Sequence, residues 1–96
     1  MKARPKVVAL AEAMERKLSR HDGDRGKDGW LSESPSWLLE RLEEETKELT
    51  TVVGMYEEST DPSDRERRRK MVLKEAADVA NFAMMVADVC HALDSR

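Results

Sequence analysis

The sequence predicts an all-α fold, an antiparallel helical bundle of three to four helices that is completed by oligomerisation. Apolar residues recur at the helical spacing of about 100° per residue in three segments, and no segment shows the strict alternation typical of a strand. Glycine and proline fall mainly at or between the ends of these segments. With 96 residues, the chain is expected to form one domain, spanning 1–96, with a modest core.

The first helix is expected from about Pro5, a favourable first-turn residue, to about Arg20. One face of this helix is apolar, and it carries Val7, Ala11, Met14 and Leu18. A loop is expected from His21 to about Pro35, because three glycines and a proline there argue against regular structure.

The second helix is expected to begin near Ser36, whose hydroxyl can cap it, and to run towards Gly54 or Glu58. A turn is expected over 59–62 before the third helix begins. The apolar stripes of the second and third helices are only partly covered within one short chain.

The third helix is expected from Ser63, because Ser63 and Glu66 have the spacing of a capping box. No glycine or proline interrupts the segment as far as Leu93, which corresponds to about 30 residues, or about 45 Å at 1.5 Å per residue. A break into two helices near Met71 is the alternative. We expect a homodimer or homotetramer, with an interface that includes Met84, Met85, Val86 and Val89.

Composition argues against several classes of protein. The net charge of −3 and the pI of about 5.4 argue against nucleic-acid binding, which needs a basic face. The single cysteine, Cys90, cannot form an internal disulfide, so a reducing compartment suits the chain. The apolar run 7–11 is short and is followed by Glu12, so neither a signal peptide nor a membrane span is expected. A cytoplasmic protein is therefore expected.

Carboxylates interrupt the apolar stripes of the second and third helices. Glu45 lies between Leu42 and Leu49, and the pair Glu75 and Asp78 lies on the apolar face of the third helix. An unpaired buried carboxylate costs several kcal/mol, so carboxylates that converge on one interior need a shared counter-charge. A divalent cation is the simplest counter-charge.

The spacing of these acids favours one common site. Glu44, Glu45 and Glu48 form the pattern E-E-x-x-E, and Glu75 with Asp78 forms E-x-x-D. Positions three apart lie on one side of a helix, so two facing antiparallel helices aim four carboxylates at one point. Oxygen ligands favour Mg²⁺, with Mn²⁺ as a substitute, and Mg²⁺ commonly binds substrate phosphates as well. The alternative is a solvated face, on which Glu44 pairs with Arg41.

Two segments resemble the two halves of the MazG-type all-α nucleoside triphosphate pyrophosphohydrolases. They are 39–49 (LERLEEETKEL) and 74–88 (KEAADVANFAMMVAD). The segment AEAMERKL in the first helix and the Gly-Trp at 29–30 resemble small phage and bacterial members.

The resemblance implies Mg²⁺-dependent cleavage of a nucleoside triphosphate between its α and β phosphorus atoms, by attack of water on the α-phosphorus. It implies four metal ligands, which are Glu45, Glu48, Glu75 and Asp78. Glu44 would be an acid beside these ligands or the base that orients water, and Glu45 would share in the chemistry as well as in metal binding.

Five residues are candidates to contact substrate. The Asn81 amide could read the edge of a base or the sugar, although a helix-surface position is equally compatible with the pattern. Trp30 could stack on a base. Lys17, Lys27 and Lys74 could neutralise triphosphate charge, and Lys74 is the best placed because it adjoins Glu75.

Two other functions compete with this interpretation. Phosphoribosyl-ATP pyrophosphohydrolases have a similar size and a similar E-A-A-D segment, but they typically carry Tyr-His soon after the Asp, where this chain has VANF at 79–82. A helical interaction module without catalytic activity is the alternative from another class.

Overall fold

The computed structural model describes residues 2–26 and 28–94. These residues form three long helices, α1 (Pro5–Arg25), α2 (Pro35–Glu58) and α3 (Pro62–Val89), with a short 3-10 helix, η1 (Gly29–Ser32), between α1 and α2. No strand occurs in the described ranges, so the all-α prediction is confirmed. Each long helix has a proline in its first turn, where the missing N–H removes no intrahelical hydrogen bond.

Helix α1 is longer than the sequence predicts, because it continues through Gly23 and ends at Arg25 rather than Arg20. The residue that stops it is Gly26, whose φ of 75° lies in the left-handed region. The Gly26 N–H donates to the Asp22 carbonyl at 2.9 Å and so closes the last turn. The connection to α2 is therefore shorter than the predicted loop, and it contains η1.

Helices α2 and α3 each begin slightly earlier than predicted. Ser34, rather than Ser36, caps α2 by accepting from the Trp37 N–H at 3.1 Å. Asp61, rather than Ser63, caps α3 by accepting from the Asp64 N–H at 2.9 Å. Both predictions placed the cap at the wrong member of a cluster of capping residues.

Helix α3 is one continuous helix of 28 residues, with no break at Met71. It ends at Val89, four residues before the predicted end at Leu93. Beyond it, His91 has a φ of 61°, which a continuing right-handed helix does not allow.

Helix α3 packs against α2, α1 and η1. It is antiparallel to α2, because Arg68 near its start donates to the Met55 carbonyl near the end of α2, whereas Phe82 lies beneath Arg41 in the first half of α2. It is also antiparallel to α1, since Met14 of that helix meets Asn81 and the later residue Lys17 meets the earlier Asp78.

The core of the chain is small. The apolar side chains that are fully or almost fully buried are Ala13, Leu38, Val52 and Ala77. Large apolar side chains remain exposed on all three long helices, and Val7, Leu39 and Leu73 are examples. The radius of gyration is 15.0 Å, whereas a compact domain of this length has about 12 Å. Within the described part of the chain, no helix combines the length and the apolar character that a membrane span requires.

Candidate metal centre and adjoining cavity

Three carboxylates meet where α2 packs against α3. Glu45 and Glu48 lie one turn apart on α2, and Glu75 faces them from α3. Each offers one oxygen, and the three oxygens lie within 4.8 Å of one another. Glu45 is 8% exposed, Glu75 is partly buried, and Glu48 is exposed. We call these three residues the acidic cluster, and it brings together three of the four ligands that the resemblance implies.

Burial and mutual repulsion raise the pKa of two members of the acidic cluster. Burial, a hydrogen bond with Glu48 and the charges of Glu48, Asp78 and Glu75 raise the pKa of Glu45 to about 7. Burial and the charges of Asp78 and Glu48 also raise the pKa of Glu75, against the opposing effect of Lys17. Both carboxyl groups would therefore gain from a nearby positive charge.

Asp78, the fourth implied ligand, adjoins the cluster and is paired with a cation from α1. Its Oδ2 lies 3.1 Å from Lys17 Nζ, and about a quarter of each side chain is exposed. Its charge acts on both Glu45 and Glu75. Lys17, predicted to contact substrate, thus lies beside the acidic cluster.

The chemistry of these donors fits a hard divalent cation. All of them are carboxylate oxygens, which Mg²⁺ and Mn²⁺ prefer. Glu75 Oε2 is buried and has no hydrogen-bond partner among the described residues. A buried carboxylate oxygen without a partner is costly, so it is available to a ligand that brings positive charge.

A cavity of about 750 Å³ adjoins the acidic cluster. All three long helices and the segment around η1 contribute to its wall, which includes Glu45 of the acidic cluster and the adjoining Asp78. Its aromatic side chains are Trp30, Trp37 and Phe82. The extension of α1 beyond its predicted end adds His21 and Asp22 to the wall.

Trp30 and Asn81, both predicted to contact substrate, line this cavity. The indole Nε1 of Trp30 donates to Asp88 Oδ2 at 3.0 Å, which ties η1 to α3. Asn81 is only 4% exposed, so it is not a surface residue. Its Nδ2 donates to the Met14 carbonyl at 3.1 Å, whereas its buried Oδ1 has no partner in the described part of the chain.

The three lysines that were predicted to neutralise triphosphate charge have different outcomes. Lys17 lines the cavity, whereas Lys74 is exposed and is not part of the cavity wall. Lys27 lies outside the described residues. Lys74 and Glu75 are neighbours in sequence, but adjacent side chains on a helix point about 100° apart.

Glu44 lies outside the acidic cluster, on the exposed side of α2, where its carboxylate contacts the Arg41 guanidinium. It still contributes to the cavity wall. A base at this position would therefore act from the cavity rather than from among the clustered carboxylates.

Arg41 is the principal cavity residue that the sequence did not single out. Its Nη2 lies 3.4 Å from Glu45 Oε1, and its guanidinium lies 5.5 Å from the centre of the Phe82 ring. From the sequence, the spacing of Arg41 and Glu44 indicated only an ion pair on the solvated face of one helix. Its position over Phe82 depends on how α2 and α3 align, which local spacing does not reveal.

Searches against protein-family models, curated proteins and solved structures found nothing that matches this chain. The class that the fold and the site define is an all-α protein with a partly buried carboxylate cluster beside a cavity lined by aromatic residues.

Proposed function

We propose that this protein is a nucleoside triphosphate pyrophosphohydrolase that depends on Mg²⁺, or on Mn²⁺ as a substitute, and releases a nucleoside monophosphate and pyrophosphate. The observation that carries the proposal is the meeting of Glu45, Glu48 and Glu75 beside a cavity of about 750 Å³. The resemblance to MazG-type enzymes supplies the class of substrate and the bond that is cleaved.

The charge of the cavity supports a requirement for metal. Among the described residues of its wall, five are carboxylates and two, Lys17 and Arg41, are cationic. A triphosphate is itself a polyanion, so an excess of carboxylates would repel it. Divalent cations would neutralise this repulsion and lower the pKa of a bound water towards neutrality.

Different residues of the chain would bind the cation, the phosphates, the base and the attacking water. The acidic cluster and Asp78 would hold the cation, and Lys17 would turn from Asp78 towards phosphate oxygens once Asp78 is engaged. The rings of Trp30 and Trp37 offer faces on which a base can stack, and Asn81 offers a hydrogen-bonding amide beside them. Glu44 would orient a water from the cavity side.

A second copy of the chain is part of this proposal. The accessible surface is 7137 Å², whereas a folded monomer of this mass exposes about 5,600 Å². The excess of about 1,500 Å² is larger than the roughly 800 Å² that each partner buries in a standard interface. A homodimer or homotetramer would cover the exposed apolar residues of the helices.

Pyrophosphate release from a panel of ribo- and deoxyribonucleoside triphosphates and phosphoribosyl-ATP, with and without Mg²⁺, tests the activity. Hydrolysis in ¹⁸O-labelled water tests the bond: label in the monophosphate supports attack on the α-phosphorus, and label confined to pyrophosphate or orthophosphate contradicts it. We expect Glu75→Gln to abolish release. Glu66→Gln is the matched control, because Glu66 is an exposed residue of the same helix that pairs with Arg69. Near-normal activity of Glu75→Gln would refute the proposed site.

A further inference from the structure

Arg41 links the acidic cluster to the cavity. Its guanidinium contacts Glu44 on one side and lies 3.4 Å from Glu45 Oε1 on the other. The contact with Glu45 is longer than the 2.7–2.9 Å typical of a strong charge-assisted hydrogen bond. Arg41 is therefore the present counter-charge of the most buried carboxylate of the acidic cluster, and it holds that carboxylate loosely.

The guanidinium is kept at the cavity by an aromatic ring. It lies 5.5 Å from the centre of Phe82, within the range of a cation–π contact, and both residues line the cavity. Its side chain is 38% exposed, so a ligand in the cavity can reach it. This contact comes from α3, so it does not depend on the carboxylates of α2.

A cation at the acidic cluster would compete with Arg41 for Glu45. The two positive charges would repel each other, and the loose 3.4 Å contact is the one that would give way. Released from Glu45 but still in contact with Glu44, the guanidinium would remain over Phe82, beside the cation. The group that a hard cation brings to this place is a phosphate, and the planar fork of arginine matches two phosphate oxygens.

We propose that Arg41 is a phosphate-binding residue. In the metal-free protein its guanidinium is paired with Glu44 and Glu45, and the binding of a divalent cation to Glu45 releases it from Glu45 to contact phosphate. The ligand is a phosphate group of the metal-bound nucleotide, and the inference rests on the proposed function.

This role predicts two effects of opposite sign when Arg41 is replaced by Gln. Without nucleotide, the metal should bind about three- to tenfold more tightly, because one nearby positive charge is gone. With metal present, nucleotide should bind about ten- to a hundredfold more weakly, because a charge-assisted hydrogen bond is lost. A residue that merely supports the fold would weaken both.

The experiment uses two titrations of the full chain. Mn²⁺ binding to the metal-free protein is followed by the loss of the free-ion electron paramagnetic resonance signal. Binding of an α,β-methylene nucleoside triphosphate in saturating Mg²⁺ is followed by calorimetry. Arg41→Lys is the second variant: it keeps the charge and loses the fork, so Mn²⁺ affinity should stay as in the wild type while nucleotide affinity falls.

Arg69→Gln is the matched control. Arg69 forms an exposed pair with Glu66 at the same helical spacing, outside the cavity wall, and its replacement should change neither titration. Circular dichroism checks that each variant is helical. If Arg41→Gln does not fold, the two titrations of Arg41→Lys alone test the role of Arg41.

The outcomes separate this inference from the proposed function. Unchanged nucleotide affinity in the folded Arg41 variants, or weaker Mn²⁺ binding in Arg41→Gln, would overturn the role of Arg41 and leave the metal centre intact. Failure of the wild-type protein to bind Mn²⁺ would overturn both.

Discussion

Glutamine in place of Glu45 isolates the cost of one buried negative charge in the metal-free protein. Gln has nearly the same shape and retains an oxygen that can accept from Arg41, but it cannot ionise. Any gain in stability that depends on pH therefore reports the charge of Glu45.

The size of the effect follows from the pKa. Burial and the neighbouring carboxylates raise the pKa of Glu45 from 4.5 to about 7. Each pKa unit corresponds to about 1.4 kcal/mol, which gives a ceiling of about 3 kcal/mol. Glu48, an exposed member of the acidic cluster, is partly screened by solvent, so we expect a free-energy difference of about 1–3 kcal/mol.

The sign is fixed by which state holds the proton more tightly. The folded state holds the proton more tightly. The stability that protonated Glu45 contributes is therefore fully present below about pH 4.5 and is lost as the pH rises towards about 7. At pH 8 with chelator, Glu45→Gln should therefore unfold at a higher temperature than the wild type. For a domain of this size, 1 kcal/mol corresponds to about 4–8 °C. Near pH 4 the two proteins should unfold together.

The assay is thermal unfolding followed by circular dichroism at fixed protein concentration, with chelator or with Mg²⁺. Mg²⁺ should raise the midpoint of the wild type and leave that of Glu45→Gln almost unchanged. Glu43→Gln is the control, because Glu43 is an exposed residue of the same helix. A variant at Glu45 that is less stable than the wild type at pH 8 in chelator would refute the electrostatic reasoning.

Three further predictions follow from the cavity and the surface. Asn81→Asp should lower the free energy of unfolding at pH 7 by about 1–3 kcal/mol, because it buries a charge and removes the donor to the Met14 carbonyl, and denaturant titration against wild type measures this. Trp30→Phe keeps a ring but loses the bond to Asp88, so in steady-state kinetics KM should rise more than kcat falls; an unchanged KM would show that this tether does not position the substrate site. Sedimentation equilibrium should find a dimer or tetramer at micromolar concentration, and a folded monomer there would contradict the proposed assembly.

The elements that the sequence predicted well are those fixed by periodicity. A carboxylate within an apolar stripe must lie on the packing face, so the placement of Glu45 and Glu75 between α2 and α3 follows from spacing, whereas their meeting also depends on how the two helices align. The three helices were predicted for the same reason. Their ends were less accurate, because Ser34 and Ser36 are equally good capping residues and only the structure distinguishes them.

What local spacing could not supply is the register between helices. Lys17 reaches Asp78 from α1, across 61 positions of sequence, whereas Lys74 is a neighbour of Glu75 in sequence and lies outside the cavity. Arg41 was recognisable as a partner of Glu44, but its contact with Phe82 depends on how α2 slides along α3. Such contacts follow from packing rather than from pattern.

Helix α3 carries Glu75, Asp78 and Asn81, and its Asp88 accepts the hydrogen bond from Trp30 of η1, so two of the acidic residues and one aromatic side chain of the cavity are positioned by the same helix. Trp30 lines the cavity from a short connection between α1 and α2. In the described ranges, the only hydrogen bond from this connection to α3 is made by the indole of Trp30. Changes in length or composition at 26–34 could therefore alter the shape of the cavity without moving Glu45, Glu48 or Glu75. Under the proposed function, the connection 26–34 would be the segment to change in order to alter nucleotide preference, because it can vary while the acidic cluster stays in place.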